Sequence, residues 1–393
     1  TAVNRHIMSV LPAEKRNSAL FVQLGSGNIN IYVMENSKMV DTYSLKIGGL
    51  RINELFEESL DSPKDYVQVI REYLTPFFET LSDAIPEKLS QCIVSGNEIQ
   101  TIASMCNATN SLDFSIMERT AFTKMYKKAK EKGTEAISME YDIPQEEVEV
   151  LLPSLIVLNR LLKYTVNDSI LLSNVLLSDA VMFEMLFPKE ASFVVKAYEE
   201  FTLQSATSIA ERFGRDIGHI SRVSSVAIEI YDKMKKLHGY KSRERTLLQV
   251  SAILQDIGKY VNVKNHALLS YNTITNLDIV GINDHERLII ATVCYYHNGN
   301  IPSMDSPIYN QLSQEDRVMV SKLAAILQIS NAINTSHSPK FEQVSVNMKN
   351  GKLNIYLTTL KNINLEKWAF IAKSKLFREV YGLNATIIKR GVL

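Results

Sequence analysis

Residues 247–258 read LLQVSAILQDIG, and the second half of the chain is organised around this stretch. Apolar residues recur at helical spacing from Leu247 to Ile257, so one face of the predicted helix is apolar. Gly258 stands where such a helix would end. A carboxylate such as Asp256 on the last turn of a buried helix is costly unless another group pairs with it or binds it. The stretch therefore predicts a buried helix that ends in a polar site.

Polar residues on both sides of this stretch follow a familiar order. A histidine opens a helix upstream, a polar residue precedes Asp256, and a histidine closes a helix downstream. The order resembles the HD-type helical domain, which normally holds a divalent metal with His, a His-Asp pair and Asp. Under this resemblance two of the four ligands are substituted, so we expect no tightly bound metal. The vestigial positions are His219, Gln255, Asp256, His266, His297 and Asn331.

The pattern before residue 190 predicts an α/β unit. Residues 1–18 have no clear period and are predicted to be a linker or lead-in. Residues 115–143 are charged and predict a helix. Buried or alternating apolar runs predict strands over 19–24, 29–33, 42–47, 90–94 and 169–175. The predicted unit spans residues 19–190.

Two further units are predicted after it. Residues 191–338 show almost only helical periodicity. Residues 339–393 alternate on both sides of Asn350-Gly351, a strong hairpin signal, and continue with a helix and a last strand. The fold class is therefore α/β plus all-α, with a small α+β unit at the carboxyl end.

Composition excludes several classes of protein. The 393 residues carry no net charge, so no overall field attracts nucleic acid or an anionic membrane. The three cysteines are far apart and predict buried hydrophobic side chains in a reducing compartment, without a disulfide frame. No run of residues approaches the ~18 apolar residues of a membrane span. We therefore expect a cytoplasmic protein with neither nucleic-acid nor membrane partners.

Two turns of small residues are candidate phosphate-binding sites. Each follows a predicted strand, and glycine lets backbone N–H groups approach phosphate oxygens without an intervening Cβ. An ordinary hairpin turn and an ordinary strand-to-helix turn are the alternatives at these two positions. The candidate phosphate-binding residues are Gly25, Ser26, Gly27 and Asn28 in the first turn, and Ser95, Gly96 and Asn97 in the second.

The order of these parts resembles the exopolyphosphatase and guanosine pentaphosphate phosphohydrolase family over nearly the whole chain from Leu20. The family motif D-x-G-G-G-S is similar to 23–28, QLGSGN, and a later Ser-Gly loop is similar to 93–97, IVSGN. The motif S-D-G-x-L-R-E-G is similar to 173–180, SNVLLSDA, in which the Asp is Asn174. The motifs are therefore degenerate in this chain.

The resemblance implies that residues 19–190 are the second half of an actin-like, ribonuclease-H-like domain. An HD-like helical domain and the small carboxyl-terminal unit follow it. It also implies a bacterial homodimer, Mg²⁺ in the intact protein, and polyphosphate or guanosine penta- or tetraphosphate as ligand. The catalytic carboxylate is expected outside this chain, in a first actin-like half.

Three functions are compatible with these residues. The first is hydrolysis of terminal phosphoryl groups by the intact protein, with this chain inactive alone. The second is a non-catalytic protein that binds polyphosphate or the guanosine nucleotides, because Gln23 and Asn174 have replaced carboxylates. The third is a phosphohydrolase acting from His219 and Asp256.

Overall fold

The computed structural model describes residues 13–36, 38–45, 47–56, 63–85, 88–110, 114–175, 177–349 and 351–391. Most of the predicted lead-in and the hairpin residue Asn350 lie outside these ranges. The chain divides into two compact units, Thr1–Phe201 and Thr202–Leu393.

Unit 1 is built on a seven-stranded mixed sheet with the strand order β3-β2-β1-β4-β7-β6-β5. The central strands β1, β4 and β7 are parallel to one another, and the outer strands are antiparallel to their neighbours. The strands are β1 Ser18–Leu24, β2 Ile29–Glu35, β3 Lys38–Leu45, β4 Gln91–Gly96, β5 Thr109–Asn110, β6 Phe114–Glu118 and β7 Ser169–Ser173.

Helices accompany this sheet along the chain, and the apolar residues of those between Gly49 and Leu161 form one core with the strands. The helices before β7 are α1 Ala13–Arg16, α2 Gly49–Phe56, α3 Pro63–Tyr73, α4 Thr75–Ala84, α5 Ile99–Met105, α6 Arg119–Tyr141 and α7 Gln145–Leu161. After β7 come α8 Leu177–Leu186 and α9 Pro188–Arg212, whose last residues belong to unit 2. The central strands are buried along most of their length, which explains their continuous apolar sequence.

One predicted element of unit 1 is wrong. Residues 114–118 form strand β6 rather than the beginning of a helix over 115–143. The strand pairs antiparallel with β7, and its buried and exposed residues alternate. A five-residue alternating run is too short to stand out beside the long charged helix α6, so pairing with β7 decides its conformation.

Unit 2 is mainly helical and carries a three-stranded sheet at its carboxyl end. Its helices are α10 Ile217–Lys233, α11 Lys235–His238, α12 Ser242–Leu254, α13 His266–Ile274, α14 Asp284–Tyr296, α15 Pro307–Asn310, α16 Gln314–Ile333 and α17 Asn364–Tyr381. The strands are β8 Gln343–Lys349, β9 Lys352–Thr358 and β10 Asn384–Arg390, in the order β10-β9-β8. Short 3₁₀ turns cover Leu162–Tyr164 in unit 1 and Ile257–Tyr260 in unit 2.

The structure differs from the predicted division into three units. Helix α9 runs unbroken through the boundary predicted at residues 190–191. Strand β9 and helix α17 also share one apolar core with the helices of unit 2, so the tail is part of that unit. The three cysteines are buried and unpaired, as predicted. Among the residues described, no helix is long and apolar enough to cross a membrane.

Candidate functional site

The two predicted phosphate turns of unit 1 lie side by side at one edge of the sheet. The first turn joins β1 to β2, and the second follows β4 directly. Because β1 and β4 are parallel, with Leu24 in register with Gly96, both turns leave the sheet at its carboxyl edge. Ligands of open α/β sheets bind at this edge, so the register places the two turns where a shared site is expected.

At two positions near these turns, backbone segments approach so closely that only glycine fits. A Cβ on Gly96 would lie 2.2 Å from the carbonyl oxygen of Leu24, and Gly96 also has a φ of +148°. A Cβ on Gly48 would lie 2.1 Å from the carbonyl oxygen of Gly25. Gly27 differs, because nothing lies within 4 Å of a Cβ added there. The backbone is therefore tightly packed beneath the first turn and open at Gly27.

Backbone hydrogen bonds, one within the turn and one from Leu50, hold the first turn. The N–H of Gly25 donates to the carbonyl oxygen of Asn28 at 3.0 Å, and the carbonyl oxygen of Ser26 accepts from the N–H of Leu50 at 3.2 Å. In the second turn, the Ser95 side chain is buried, and its hydroxyl has no hydrogen-bond partner among the residues described. An unsatisfied buried hydroxyl is rare and marks a candidate ligand contact.

Amide side chains stand at the two positions where the sequence resemblance places the aspartates of the family motifs. The Gln23 side-chain oxygen accepts from the Asn30 amide at 3.3 Å. The Asn174 side-chain oxygen accepts from the Ser115 hydroxyl at 2.9 Å and from Gln100 at 3.4 Å. These neutral groups are already engaged, whereas Mg²⁺ prefers charged carboxylate and phosphate oxygens. The residues present at Gln23 and Asn174 therefore do not fit a Mg²⁺ site.

Glu98 was not singled out by the sequence, yet it lies directly beside the second turn. It is the residue immediately before α5, and its side chain is 8% exposed. The Oε2 atom has no hydrogen-bond partner among the described residues. Burial raises the pKa of Glu98, although a backbone hydrogen bond opposes this. The sequence could have identified Glu98, because it is an acidic residue directly after a turn of small residues.

In unit 2, three predicted metal positions converge. Asp256 follows α12, His266 begins α13, and His297 follows α14. The Nε2 atoms of His266 and His297 are 3.3 Å apart, and Asp256 Oδ1 lies 3.6 Å from the first and 3.2 Å from the second. All three side chains are buried. We call Asp256, His266 and His297 the His/Asp cluster.

His219 lies at the side of this cluster. Its Nε2 is 3.9 Å from Asp256 Oδ2, and its ring stacks on His337 with the ring centres 3.9 Å apart. Burial is the main reason why the pKa of His219 is lowered to about 4, and the nearby His337 adds to the effect. His219 is therefore a neutral imidazole at neutral pH.

Asn334, and not the vestigial metal position Asn331, contacts His219. The side-chain amide of Asn334 lies 2.7 Å from Nδ1 of His219. Asn331 is half-buried on α16, one helical turn earlier. A shift of three residues keeps a side chain on the same helix face, so the sequence pattern could have identified Asn334.

Gln255 is deeply buried beside the cluster, and neither polar atom of its side chain has a hydrogen-bond partner among the described residues. Its backbone carbonyl accepts from the Ser270 hydroxyl at 2.9 Å, and that hydroxyl also accepts from the N–H of Gly258 at 2.9 Å. A Cβ on Gly258 would lie 2.2 Å from the carbonyl oxygen of His266. Gly258 thus allows α13 to approach closely enough to place His266 at the cluster.

Lys259 balances the negative charge of Asp256 at one of its two carboxylate oxygens. Lys259 Nζ lies 2.7 Å from Asp256 Oδ2. Burial raises the pKa of Asp256, but His297 and Lys259 more than offset burial and hold this pKa well below its ordinary value. Asp256 is therefore an anion with one oxygen bound by Lys259 and the other directed to the two histidines.

Two family models match the chain, one in each unit. Residues 6–189 match the model described as Ppx/GppA phosphatase family. Residues 203–376 match the model described as Ppx/GppA phosphatase, domain III. A curated relative, the guanosine-5'-triphosphate,3'-diphosphate pyrophosphatase of Photobacterium profundum, is 20% identical over 322 residues. The alignment covers 79% of this chain and 60% of the relative, so the chain spans about 60% of that protein's length.

Solved structures are similar over about half of the chain. An exopolyphosphatase from Cytophaga hutchinsonii is 18% identical, with a TM-score of 0.41 over 47% of this chain and 61% of that protein. A Ppx/GppA family member from Aquifex aeolicus is 16% identical, with a TM-score of 0.40 over 48% of this chain and 61% of that protein. Because both units match models of one family, this chain belongs to the Ppx/GppA phosphatase family.

Proposed function

We propose that this chain is the substrate-holding part of a phosphoanhydride hydrolase. In the intact protein, the hydrolase would remove terminal phosphoryl groups from polyphosphate or guanosine pentaphosphate. The observation that supports this most is the juxtaposition of the turns at Gly25 and Gly96 at the carboxyl edge of the sheet. Such turns let backbone N–H groups approach phosphate oxygens, and the buried Ser95 hydroxyl is a further donor.

Catalysis additionally needs a base that activates water. The family resemblance implies a carboxylate outside this sequence, in a first actin-like half, with residues 19–190 as the second half. Within this sequence, Glu98 is the carboxylate next to the second turn. Its raised pKa suits an acid or base acting near neutral pH better than an ordinary glutamate does.

The first experiment compares this chain with the full open reading frame. Phosphate release from long-chain polyphosphate and from guanosine pentaphosphate is measured with Mg²⁺, together with binding of both ligands. We expect both proteins to bind and the longer one to release phosphate. Absence of binding by this chain would contradict the proposal.

Gly27→Ala tests whether phosphate approaches the first turn. Nothing in the protein lies within 4 Å of the added methyl group, so stability should not change. Because the methyl group would meet a ligand at the turn, we expect binding of polyphosphate to weaken about tenfold, which corresponds to ~1.4 kcal/mol. Gly391→Ala is a matched control, since its Cβ also meets nothing within 4 Å. Unchanged binding by Gly27→Ala would place the ligand elsewhere.

The alternative is a non-catalytic protein that binds polyphosphate or guanosine penta- or tetraphosphate. The neutral amides of Gln23 and Asn174 favour it, because they replace two carboxylates. Restoring them with Gln23→Asp and Asn174→Asp in the full-length protein should raise phosphate release if the chemistry has been lost at these positions. No gain would show that these two positions do not limit the activity.

We also infer a homodimer from the family resemblance. Sedimentation velocity of the purified chain at micromolar concentration tests this directly. A single species with the mass of one 44.4 kDa chain would contradict it.

A further inference from the structure

The hydrogen bonds of the His/Asp cluster determine which ring nitrogens carry protons. Nδ1 of His266 lies 2.7 Å from the carbonyl oxygen of Val263, and Nδ1 of His297 lies 2.5 Å from that of Cys294. A carbonyl oxygen can only accept, so each Nδ1 donates. In a neutral imidazole the other nitrogen then carries a lone pair. Both Nε2 atoms are therefore acceptors whenever the two rings are neutral, as metal-bound histidines are.

The two Nε2 atoms lie close to each other and to a third acceptor, Asp256 Oδ1. The Nε2 atoms of His266 and His297 are 3.3 Å apart, with Asp256 Oδ1 within 3.6 Å of both. Oδ1 is buried and has no hydrogen-bond partner among the residues described. Three converging acceptors repel one another unless a cation lies between them.

The distances match those of a metal centre. Bonds of about 2.0–2.1 Å from a tetrahedral ion to nitrogen or oxygen ligands separate the ligand atoms by about 3.3–3.4 Å. The three observed separations are 3.2, 3.3 and 3.6 Å. A single proton could join only two of the three atoms, whereas one metal ion about 2.1 Å from each can contact all three.

We propose that Asp256 Oδ1, His266 Nε2 and His297 Nε2 bind one divalent first-row transition-metal ion. Two imidazoles and one carboxylate favour Zn²⁺, Fe²⁺ or Co²⁺ over Mg²⁺ or Ca²⁺. Three protein ligands leave a coordination position for water or an anion. This reverses the expectation from sequence, in which Gln255 and Asn331 counted as lost ligands, because His266 and His297 form the site with Asp256.

Neighbouring residues fit this assignment. Lys259 binds the other carboxylate oxygen of Asp256 at 2.7 Å and leaves Oδ1 directed to the histidines. The carbonyl groups that accept from the two Nδ1 atoms fix the ring orientations, as outer partners of metal-bound histidines usually do. His219 Nε2 lies 3.9 Å from Asp256 Oδ2, and like the Gln255 amide it is buried without a hydrogen-bond partner among the described residues.

Metal content of the whole chain tests the proposal independently of the phosphate turns. The purified protein is stripped with a chelator, dialysed against Zn²⁺ or Co²⁺, and analysed by mass spectrometry for bound metal. We expect about one equivalent, and a Co²⁺ absorption spectrum of a four- or five-coordinate ion. Less than about 0.1 equivalent in folded protein would mean that a shared proton occupies the cluster, and would overturn the proposal.

Variants identify the ligands. His266→Gln, His297→Gln and Asp256→Asn should each weaken Zn²⁺ binding by about 100-fold or more, since even outer-shell partners are worth about 10- to 100-fold. His238→Gln is the matched control, because His238 is a buried histidine with Nε2 near the Tyr231 carbonyl oxygen and Nδ1 accepting from the Tyr240 N–H.

Equal Zn²⁺ uptake by folded His297→Gln and wild type would overturn the assignment. If the three ligand variants do not fold, measurements on the wild-type protein alone test the metal site. Its Co²⁺ spectrum and a rise in its unfolding temperature with Zn²⁺ support the site, and the absence of both would contradict it.

Discussion

At the residue scale, single buried polar groups indicate the candidate sites more clearly than the motifs do. The Ser95 hydroxyl and the Glu98 carboxylate in unit 1 are buried without complete hydrogen bonding among the described residues. The same holds for Asp256 Oδ1 and His219 Nε2 in unit 2. Each such atom costs stability, so it is expected where a ligand or a chemical step needs it.

Replacing Glu98 by Gln should stabilise the protein at neutral pH. Burial raises the pKa of Glu98, so the unfolded chain ionises first, and stability falls as the pH rises from the ordinary value of 4.5 through the raised pKa. Removing this charge should add about 0.5–2 kcal/mol to the free energy of unfolding at pH 8. Urea denaturation at pH 5 and pH 8 measures the change, with exposed Glu146→Gln as control. Lower stability of Glu98→Gln at pH 8 would mean that a partner stabilises the carboxylate.

His219 should make unit 2 less stable in acid. Its folded pKa of about 4 lies below the ordinary 6.5, so the unfolded chain binds the proton first and stability falls as the pH decreases through 6.5. We expect a contribution of about 2 kcal/mol between pH 7 and pH 5, at 1.36 kcal/mol per pKa unit. Urea denaturation at both pH values should show a smaller loss for His219→Gln. Equal losses for both proteins would contradict the prediction.

At the element scale, the connection between α12 and α13 determines the geometry of the His/Asp cluster. Gly258 lies in the 3₁₀ turn after α12, and Ser270 on α13 bonds the backbone of Gln255 and Gly258. The predicted helix end at Gly258 is confirmed to within a few residues, because α12 ends at Leu254 and the 3₁₀ turn follows. Gly258 also allows α13 to pack closely against this turn. Sequence periodicity does not show that α13 is the neighbouring helix, so this second role could not be predicted.

Gly258→Ala should therefore destabilise unit 2. The added Cβ would lie 2.2 Å from the His266 carbonyl oxygen and 2.5 Å from the Ser270 N–H nitrogen, so α13 would have to move. We expect a loss of about 1–3 kcal/mol, as for other overpacked sites. Thermal and urea unfolding measure it, with Gly391→Ala as the control in open space. A stability equal to that of wild type would show that α13 can move freely.

At the scale of the whole molecule, each unit has a core of its own, and the carboxyl-terminal tail belongs to the core of unit 2. The Tyr381 hydroxyl of α17 donates to the carbonyl oxygen of Lys322 on α16 at 3.1 Å. The tail was predicted as a separate unit because its strand and hairpin pattern differs from the helices before it. Shared burial joins the two parts.

Phe377→Ala tests this joint core. Phe377 is fully buried on α17, and its truncation should cost about 3–5 kcal/mol. The loss should also appear as faster hydrogen exchange in α16, Gln314–Ile333, since both helices belong to one core. Trp368→Ala is the control on the same helix, because Trp368 is 68% exposed. Unchanged exchange in α16 would mean that the tail folds separately.

The sequence by itself determined most of the elements and the family of this protein. The strands β1, β2, β4 and β7, the helical run after α9 and the hairpin-helix-strand tail follow from local periodicity and turn residues. These signals are short-range, so they predict the elements without information on which elements are in contact. The resemblance to the Ppx/GppA family depended on their order in the chain.

Only the tertiary structure decided which polar residues meet. Asp256, His266 and His297 are separated by up to 41 residues in sequence, yet their ligand atoms lie within 4.8 Å. Asn334 rather than Asn331 reaches His219, and Glu98 adjoins the second turn. Helix packing, strand register and the space left by glycines determine these contacts, and such long-range distances leave no periodic signal in the chain.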